Sequence, residues 1–188
     1  MGVLGNLELL RALEEGRIAI SPLPGPPPTA ASSPFGTTAL DLRLSDQLRV
    51  PTKGLSVSFD LRRGRIGTTL DHLFAEETIG LAGYSLEPNQ FILGRTIERV
   101  SLPLEGRLAA RIEGRSSYAR TGLLVHFTAP TIHAGFEGTI TLEMINLGPF
   151  PIQLFPELFI CQLIVETVDG AIALQPSQFQ GQQTRSGA

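Results

Sequence analysis

Residues 113–146 read EGRSSYARTGLLVHFTAPTIHAGFEGTITLEMIN, and two patterns inside this block decide how the rest of the chain is organised around it. From Gly138 to Asn146 the residues alternate as in a half-buried strand, with Ile140, Leu142 and Met144 on one side and Thr139, Thr141 and Glu143 on the other. Glu143 therefore shares a face with two small hydroxyls. A carboxylate on a strand that lines a partly dry pocket can exchange protons with a ligand as a general acid or base.

The first part of the block, Gly114 to Arg120, sets a glycine and two hydroxyls where the chain leaves a strand for a short helical turn, with Ala119 favouring that turn. Free N–H groups at the start of such a turn, with Ser116, Ser117 and Arg115, make a cradle for an anion. Ser116 and Arg120 are four residues apart and on one face if the turn is helical, so a hydroxyl and a guanidinium can address the same ligand. A solvated glutamate and an ordinary turn are the plain alternatives for the two patterns.

Composition narrows the classes. With 15 Lys+Arg against 18 Asp+Glu, a formal charge of -3 and no run of basic residues, a general nucleic-acid surface is not expected. Charged residues make up only 18% of the chain against 42% hydrophobic, which leaves apolar surface for identical subunits to cover. The single cysteine, Cys161, cannot form an intrachain disulfide, and its setting in LFICQLIV marks it as a core position. No run of eighteen apolar residues and no charged-then-apolar leader pattern is present, so the expectation is a cytoplasmic protein without membrane contact.

Along the chain, one domain over 1–188 is expected. Asn6 to Gly16 reads as a short helix, capped by Asn6, striped by Leu7, Leu10 and Leu13 and ended by Gly16, followed by a strand over 17–20. The segment 21–34, with five prolines between Pro22 and Pro28, is an extended arm or loop. Strand character returns over 37–50, weakens from 52 to 83 around the basic Arg62-Arg63-Gly64-Arg65 cluster and a helical turn over 71–77, and resumes as short strands. These strands with glycine and proline punctuation argue for an all-β sandwich or barrel. The tail 175–188, with four glutamines between Gln178 and Gln183, is too polar to hold itself in place and is expected to be mobile.

Taken together, GRSSYARTGLLVH at 114–126, AGFEGTITLE at 134–143, NLGPFPIQL at 146–154 and CQLIVE at 161–166 resemble the dCTP deaminase branch of the dUTPase-like superfamily. ALDLRL at 39–44 and FILGRTIERVSLP at 91–103 extend the likeness, in collinear order, over most of the chain. The resemblance implies a distorted jelly-roll or β-barrel, homotrimeric, with sites between subunits. It implies metal-free hydrolytic deamination of dCTP to dUTP and ammonia, with Glu143, Ser116 and Arg120 catalytic. Arg115 and Ser117 would contact phosphates, with Ala129, His133, Thr141, Leu142, Gln178 and Gln182 also in the substrate site. Magnesium would arrive with the triphosphate, and no protein metal site is implied.

The residues themselves close one route and leave others open. Zinc deaminases activate water on a His/Cys/Cys or three-Cys site, and a chain with one cysteine and no H-x-E with P-C-x-x-C cannot build that zinc centre. A metal-free route leans on a carboxylate: Glu143 relays the proton, Ser116 and a backbone carbonyl near Ala129 place the water, and Arg120 fixes the group electrostatically. Two features depart from the family pattern: His133 stands for its aspartate, and Gln178 and Phe179 stand for the lysine and tyrosine of its closing tail. They leave open a nucleotide-binding or regulatory homologue with little turnover. A dUTP pyrophosphatase is the third alternative, disfavoured by Glu143 and by the missing aspartate at 133.

Overall fold

The structure, a computed structural model, describes residues 2–60, 62 and 67–174, with side chains in the last span given from residue 70 onward. The expected tail, with Gln178 and Gln182, and residues 63–65 of the basic cluster lie outside the described residues. Arg62 pairs with Asp60 at 2.8 Å.

The chain opens on helix α1 (Asn6–Glu14) and continues through β1 (Ala19–Ser21), β2 (Leu40–Arg43), β3 (Gln47–Pro51), α2 (Gly67–Leu73), β4 (Phe74–Thr78), β5 (Tyr84–Leu86) and β6 (Phe91–Ser101). After a 3-10 turn at Leu104–Gly106 come β7 (Leu108–Gly114), α3 (Ser116–Ala119), β8 (Leu123–Leu124), β9 (Thr131–Ile132), β10 (Glu137–Asn146), β11 (Ile152–Leu154) and β12 (Phe159–Thr167). Six strands form one sheet, in the order β4-β3-β6-β10-β8 with β1 also on β6. Four form a second, β2-β12-β7-β9, and β11 pairs with β5. Mostly strands with few helices is the expected class, but the sheets are open paths: among the described residues none closes into the barrel that was one form of the expectation.

Alternation fills the space between the sheets. Leu40, Leu42, Ile112 and Leu163 from the four-stranded sheet join Leu48, Ile92, Leu142 and Met144 from the six-stranded one in a single buried cluster. Cys161 belongs to it too, and burial pushes its thiol pKa up, the state of a packing residue rather than a nucleophile. One charged pair spans the layers. Glu98 of β6, fully buried, accepts from the Arg43 backbone N–H at 2.9 Å and from its Nε at 2.7 Å, so its carboxylate is compensated where an unpaired one would be costly.

Three expectations are corrected by tertiary contacts. The helix is present, but Gly5 takes the N-cap position with no side-chain cap, and Leu9 and Ala12 are buried while Leu7 is 57% exposed. The return of the chain after the helix sets its docking face: Gly16 turns the backbone at φ 70°, and the N–H groups of Arg17 and Ile18 reach the Ala12 carbonyl at 2.9 and 3.3 Å. The strand read over 37–50 is broken, because at Leu44 the chain leaves one sheet for the other. Leu44 bonds Leu158 and Glu157 through its backbone and bridges to Thr96, and Ser45 N–H then donates to the Arg95 carbonyl. The helical turn expected over 71–77 is helical only as far as Leu73, the end of α2; Phe74–Thr78 form β4 instead, paired with β3 from Phe74↔Pro51 to Thr78↔Gln47.

One irregularity lies where β10 meets β6. Its register against β6 shifts between Thr139 and Thr141, which leaves the Ile140 N–H without a ladder partner. The buried Thr96 hydroxyl fills the gap, accepting from Ile140 N at 3.0 Å while donating to the Glu98 carbonyl at 2.8 Å. Replacing Thr96 by valine keeps the shape and removes the acceptor, so Thr96→Val is expected to lose about 1–3 kcal/mol of stability. Urea unfolding would show this as a lower midpoint at unchanged slope, and an unchanged midpoint would contradict the role given to the hydroxyl.

Candidate active site

β10 carries the expected alternation without exception. Gly138, Ile140, Leu142, Met144 and Asn146 point inward, and Thr139, Thr141, Glu143 and Ile145 fall on the other face. Leu142 is fully buried, so its side chain belongs to the core and only its peptide groups are available to a ligand. Glu143 and Thr141 do share the outer face, with the Glu143 side chain 35% exposed.

A short strand brings a partner to that carboxylate. β8 pairs with the end of β10 through Leu124↔Ile145 and Leu123↔Asn146, and the chain running on from it delivers His126 beside Glu143. Nδ1 of His126 lies 2.5 Å from a Glu143 carboxylate oxygen, and Nε2 lies 2.9 Å from the Ala129 carbonyl oxygen. The Nε2 contact is a hydrogen bond to a pure acceptor, whereas the Nδ1 contact is a close charge contact without hydrogen-bond angles, and a proton on each ring nitrogen suits both. The His126 pKa is raised, chiefly by the Glu143 carboxylate and further by the Ala129 carbonyl and the charge of Glu113, against the opposing effect of desolvation. His126 thus bridges two groups already singled out in the sequence, Glu143 and Ala129, in a setting that favours its cationic form. It was not itself singled out. The sequence signal was a histidine directly after an apolar Leu123-Leu124-Val125 run, and nothing local to it points seventeen residues on to Glu143.

The short helical turn expected after Gly114 forms. Arg115 is the N-cap of α3, and its carbonyl receives the N–H groups of Tyr118 and Ala119 at 3.0 and 2.9 Å. Ser116, Ser117 and Arg120 are all solvent-exposed, with Ser116 and Arg120 one turn apart. The Arg115 side chain points back into the protein, where Nη1 meets Asp41 at 3.0 Å and the Phe159 carbonyl at 3.3 Å. Asp41 is accordingly a charge partner. His133 is exposed in the turn after β9, and its carbonyl accepts from the Phe136 N–H at 3.1 Å.

Two glycines fix the turn to the end of β10. Gly122, at φ 96°, passes so close to Gly148 that an added Cβ would lie 2.2 Å from the Gly148 nitrogen, and one on Gly148 would lie 2.1 Å from the Thr121 oxygen. Leu147 N–H donates to the Gly122 carbonyl at 2.8 Å. Buried Asn146 completes the junction, its amide donating to the Leu86 and Phe150 carbonyls and its oxygen accepting from Gly148. The catalytic candidates are not all joined within one chain, however. Among the described residues the ion pair of Glu143 is with His126, and neither Ser116 nor Arg120 bonds to it. Nor does any group of three His, Cys, Asp or Glu among those residues stand close enough to hold a metal ion.

The comparisons with known proteins place this arrangement. The architecture is that of the solved 2'-deoxycytidine 5'-triphosphate deaminase of Agrobacterium tumefaciens, with a TM-score of 0.64 at 22% identity over 88% of this chain; the match spans about half, 48%, of that chain. A family model described as dCTP deaminase-like matches residues 3–168, and the chain belongs to that family. It is 39% identical over 168 residues to the dCTP deaminase of Rhodospirillum rubrum, covering 88% of this chain and 82% of the relative. It is 36% identical over 172 residues to the "dCTP deaminase, dUMP-forming" of Methanosphaera stadtmanae, covering 89% of this chain and 80% of the relative.

The His126 bridge has a signed pH dependence. A folded-state pKa raised above the ordinary 6.5 contributes stability that is fully present below 6.5 and is lost as pH rises through the folded value. The stability advantage of the unaltered protein over His126→Asn is therefore expected to be largest near pH 5.5 and to shrink as the pH is taken above 6.5. Urea midpoints of the two proteins across that range measure it, and an advantage that grows with pH would contradict the cationic form.

Proposed function

We propose that the protein deaminates dCTP hydrolytically, releasing ammonia and dUTP. The observation that carries the proposal is the Glu143 carboxylate held by His126, itself tied to the Ala129 carbonyl, on the strand face where the family resemblance sets the catalytic glutamate. The names borne by the relatives support the substrate.

In this reading a water placed by the Ala129 carbonyl and the Ser116 hydroxyl attacks C4 of the cytosine. Glu143 takes a proton from that water as the C–O bond forms and the C4=N3 π pair moves onto N3. The same carboxyl then gives the proton to N4, the C4–N4 bond breaks with its pair leaving on ammonia, and the remaining hydroxyl proton passes to N3 as the C4=O bond forms; one water is consumed and no electron is transferred elsewhere. His126 acts through Glu143 and is a positioning residue. Its cation also loses its partner when Glu143 becomes protonated, which favours passing that proton on.

Since Ser116 and Arg120 do not reach Glu143 within one chain, the reading completes the site with these residues from a neighbouring copy in a homotrimer. Arg115 and Ser117 would take the phosphates, with magnesium carried in on the triphosphate as part of the substrate. His133 would donate to the sugar, Thr141 and the Leu142 peptide would line the base, and Gln178 and Gln182 would close over the phosphates. A second reading adds hydrolysis to dUMP and pyrophosphate after deamination; the dUMP-forming relative is what favours it.

Incubation with dCTP and magnesium, following ammonia and pyrophosphate separately, tests both. Ammonia without pyrophosphate is the expected result, and Glu143→Gln should lower its release by roughly 10²- to 10⁴-fold, the range of general acid–base contributions. His126→Asn, which removes a charged hydrogen-bond partner, should lower kcat by about 10- to 100-fold. Equal pyrophosphate and ammonia would establish the second reading. Nucleotide binding with no ammonia would make the chain a binding homologue instead.

A further inference from the structure

Asp41 and Gln162 face each other as register partners on β2 and β12, and β12 pairs on its other edge with β7, setting Gln162 opposite Glu113, two residues before Arg115. Three elements converge on the Arg115 guanidinium. From β2, Asp41 Oδ2 stands 3.0 Å from Nη1; from β12, the Phe159 carbonyl accepts from the same nitrogen at 3.3 Å; from α3, the Tyr118 ring lies under Cζ at 5.5 Å from its centroid. Asp41 is itself held, its Oδ1 accepting from Gln162 Nε2 at 2.9 Å.

The consequence is a fork fixed on one side and open on the other. Nη1 has the Asp41 carboxylate as its ion-pair partner and the Phe159 carbonyl as its acceptor, and the Tyr118 ring flanks Cζ, whereas among the described residues Nε and Nη2 have no hydrogen-bond acceptor. The side chains of Arg115 and Asp41 are 29% and 17% exposed, so the contact is sheltered but the guanidinium is not sealed from solvent. A carboxylate this close to a cation that is to bind an anion opposes that binding through its charge. Its presence is understandable if orientation outweighs charge: a planar fork recognises an oxyanion only when its plane and its open edge are set beforehand.

We propose that Asp41, held by Gln162, is a positioning residue that presents the free edge of Arg115 to the polyphosphate of the nucleotide. This rests on the reading of Arg115 as a phosphate contact. It makes a prediction opposite in sign to the charge argument. Removing the carboxylate charge in Asp41→Asn would tighten polyphosphate binding if charge alone counted, and weakens it if the carboxylate orients the fork.

The test measures dCTP deamination, and separately calorimetric binding of magnesium tripolyphosphate, for the unaltered protein, Asp41→Asn, Gln162→Leu, Arg115→Gln and the Asp41→Asn/Arg115→Gln pair. Asp41→Asn is expected to raise KM and the tripolyphosphate Kd about tenfold, a typical loss for one charge-assisted contact, with kcat within about twofold. Gln162→Leu is expected to raise both about threefold, since it leaves the charge and loosens only its seat. In the Arg115→Gln background, Asp41→Asn is expected to add nothing. Polyphosphate binding by Asp41→Asn as tight as, or tighter than, that of the unaltered protein overturns the proposal, as does additivity with Arg115→Gln. If Asp41→Asn fails to fold, Gln162→Leu decides, and unchanged KM and Kd there overturn it. Absence of deamination by the unaltered protein would sink the functional reading, while the tripolyphosphate binding would still judge the positioning role.

Discussion

The contact between the Glu143 carboxylate and the His126 imidazole is the interaction on which the site depends. It joins β10 to the segment after β8, and through Nε2 it reaches the Ala129 carbonyl, so one ring ties two groups together. The fold exists around it in a definite sense. β10 must present Glu143 outward while Ile140, Leu142 and Met144 fill the core, and the register shift against β6 between Thr139 and Thr141 lies just before that point. The partly exposed carboxylate thus has a charge partner that is itself held by a carbonyl, so it is not left bare.

The rest of the structure can be understood as support for two rigid placements. The first is the strand face, secured by the sheet-crossing Arg43–Glu98 pair and the Thr96 hydroxyl in the bulge. The second is the Ser116–Arg120 turn, held from below by Arg115 on Asp41 and Phe159 and from the side by the Gly122–Gly148 crossing. Every one of these supports links residues far apart in sequence. That suits a site whose groups must keep their spacing to a fraction of an ångström.

Much of this was legible in the chain because it rests on local rules. Period-two alternation gave β10 its inward and outward faces, and a Gly-Arg-Ser-Ser opening before alanine gave the short turn. What escaped was set by contacts between distant segments. The break at Leu44 comes from bonds to Leu158, Glu157 and Thr96, none of which a local pattern contains. The helix stripe was misplaced because the loop after Gly16 folds back on Ala12 and selects the Leu9–Ala12 face over Leu7. His126 escaped for the same reason: only the Leu124↔Ile145 register reveals that it lies beside Glu143.

The charged state of His126 can be measured directly with the protein labelled at the histidine nitrogens. Nitrogen chemical shifts recorded across pH should show the His126 titration displaced above the ordinary 6.5 and falling back toward it in Glu143→Gln. A titration at or below 6.5 in the unaltered protein, or one that Glu143→Gln leaves in place, would contradict the account.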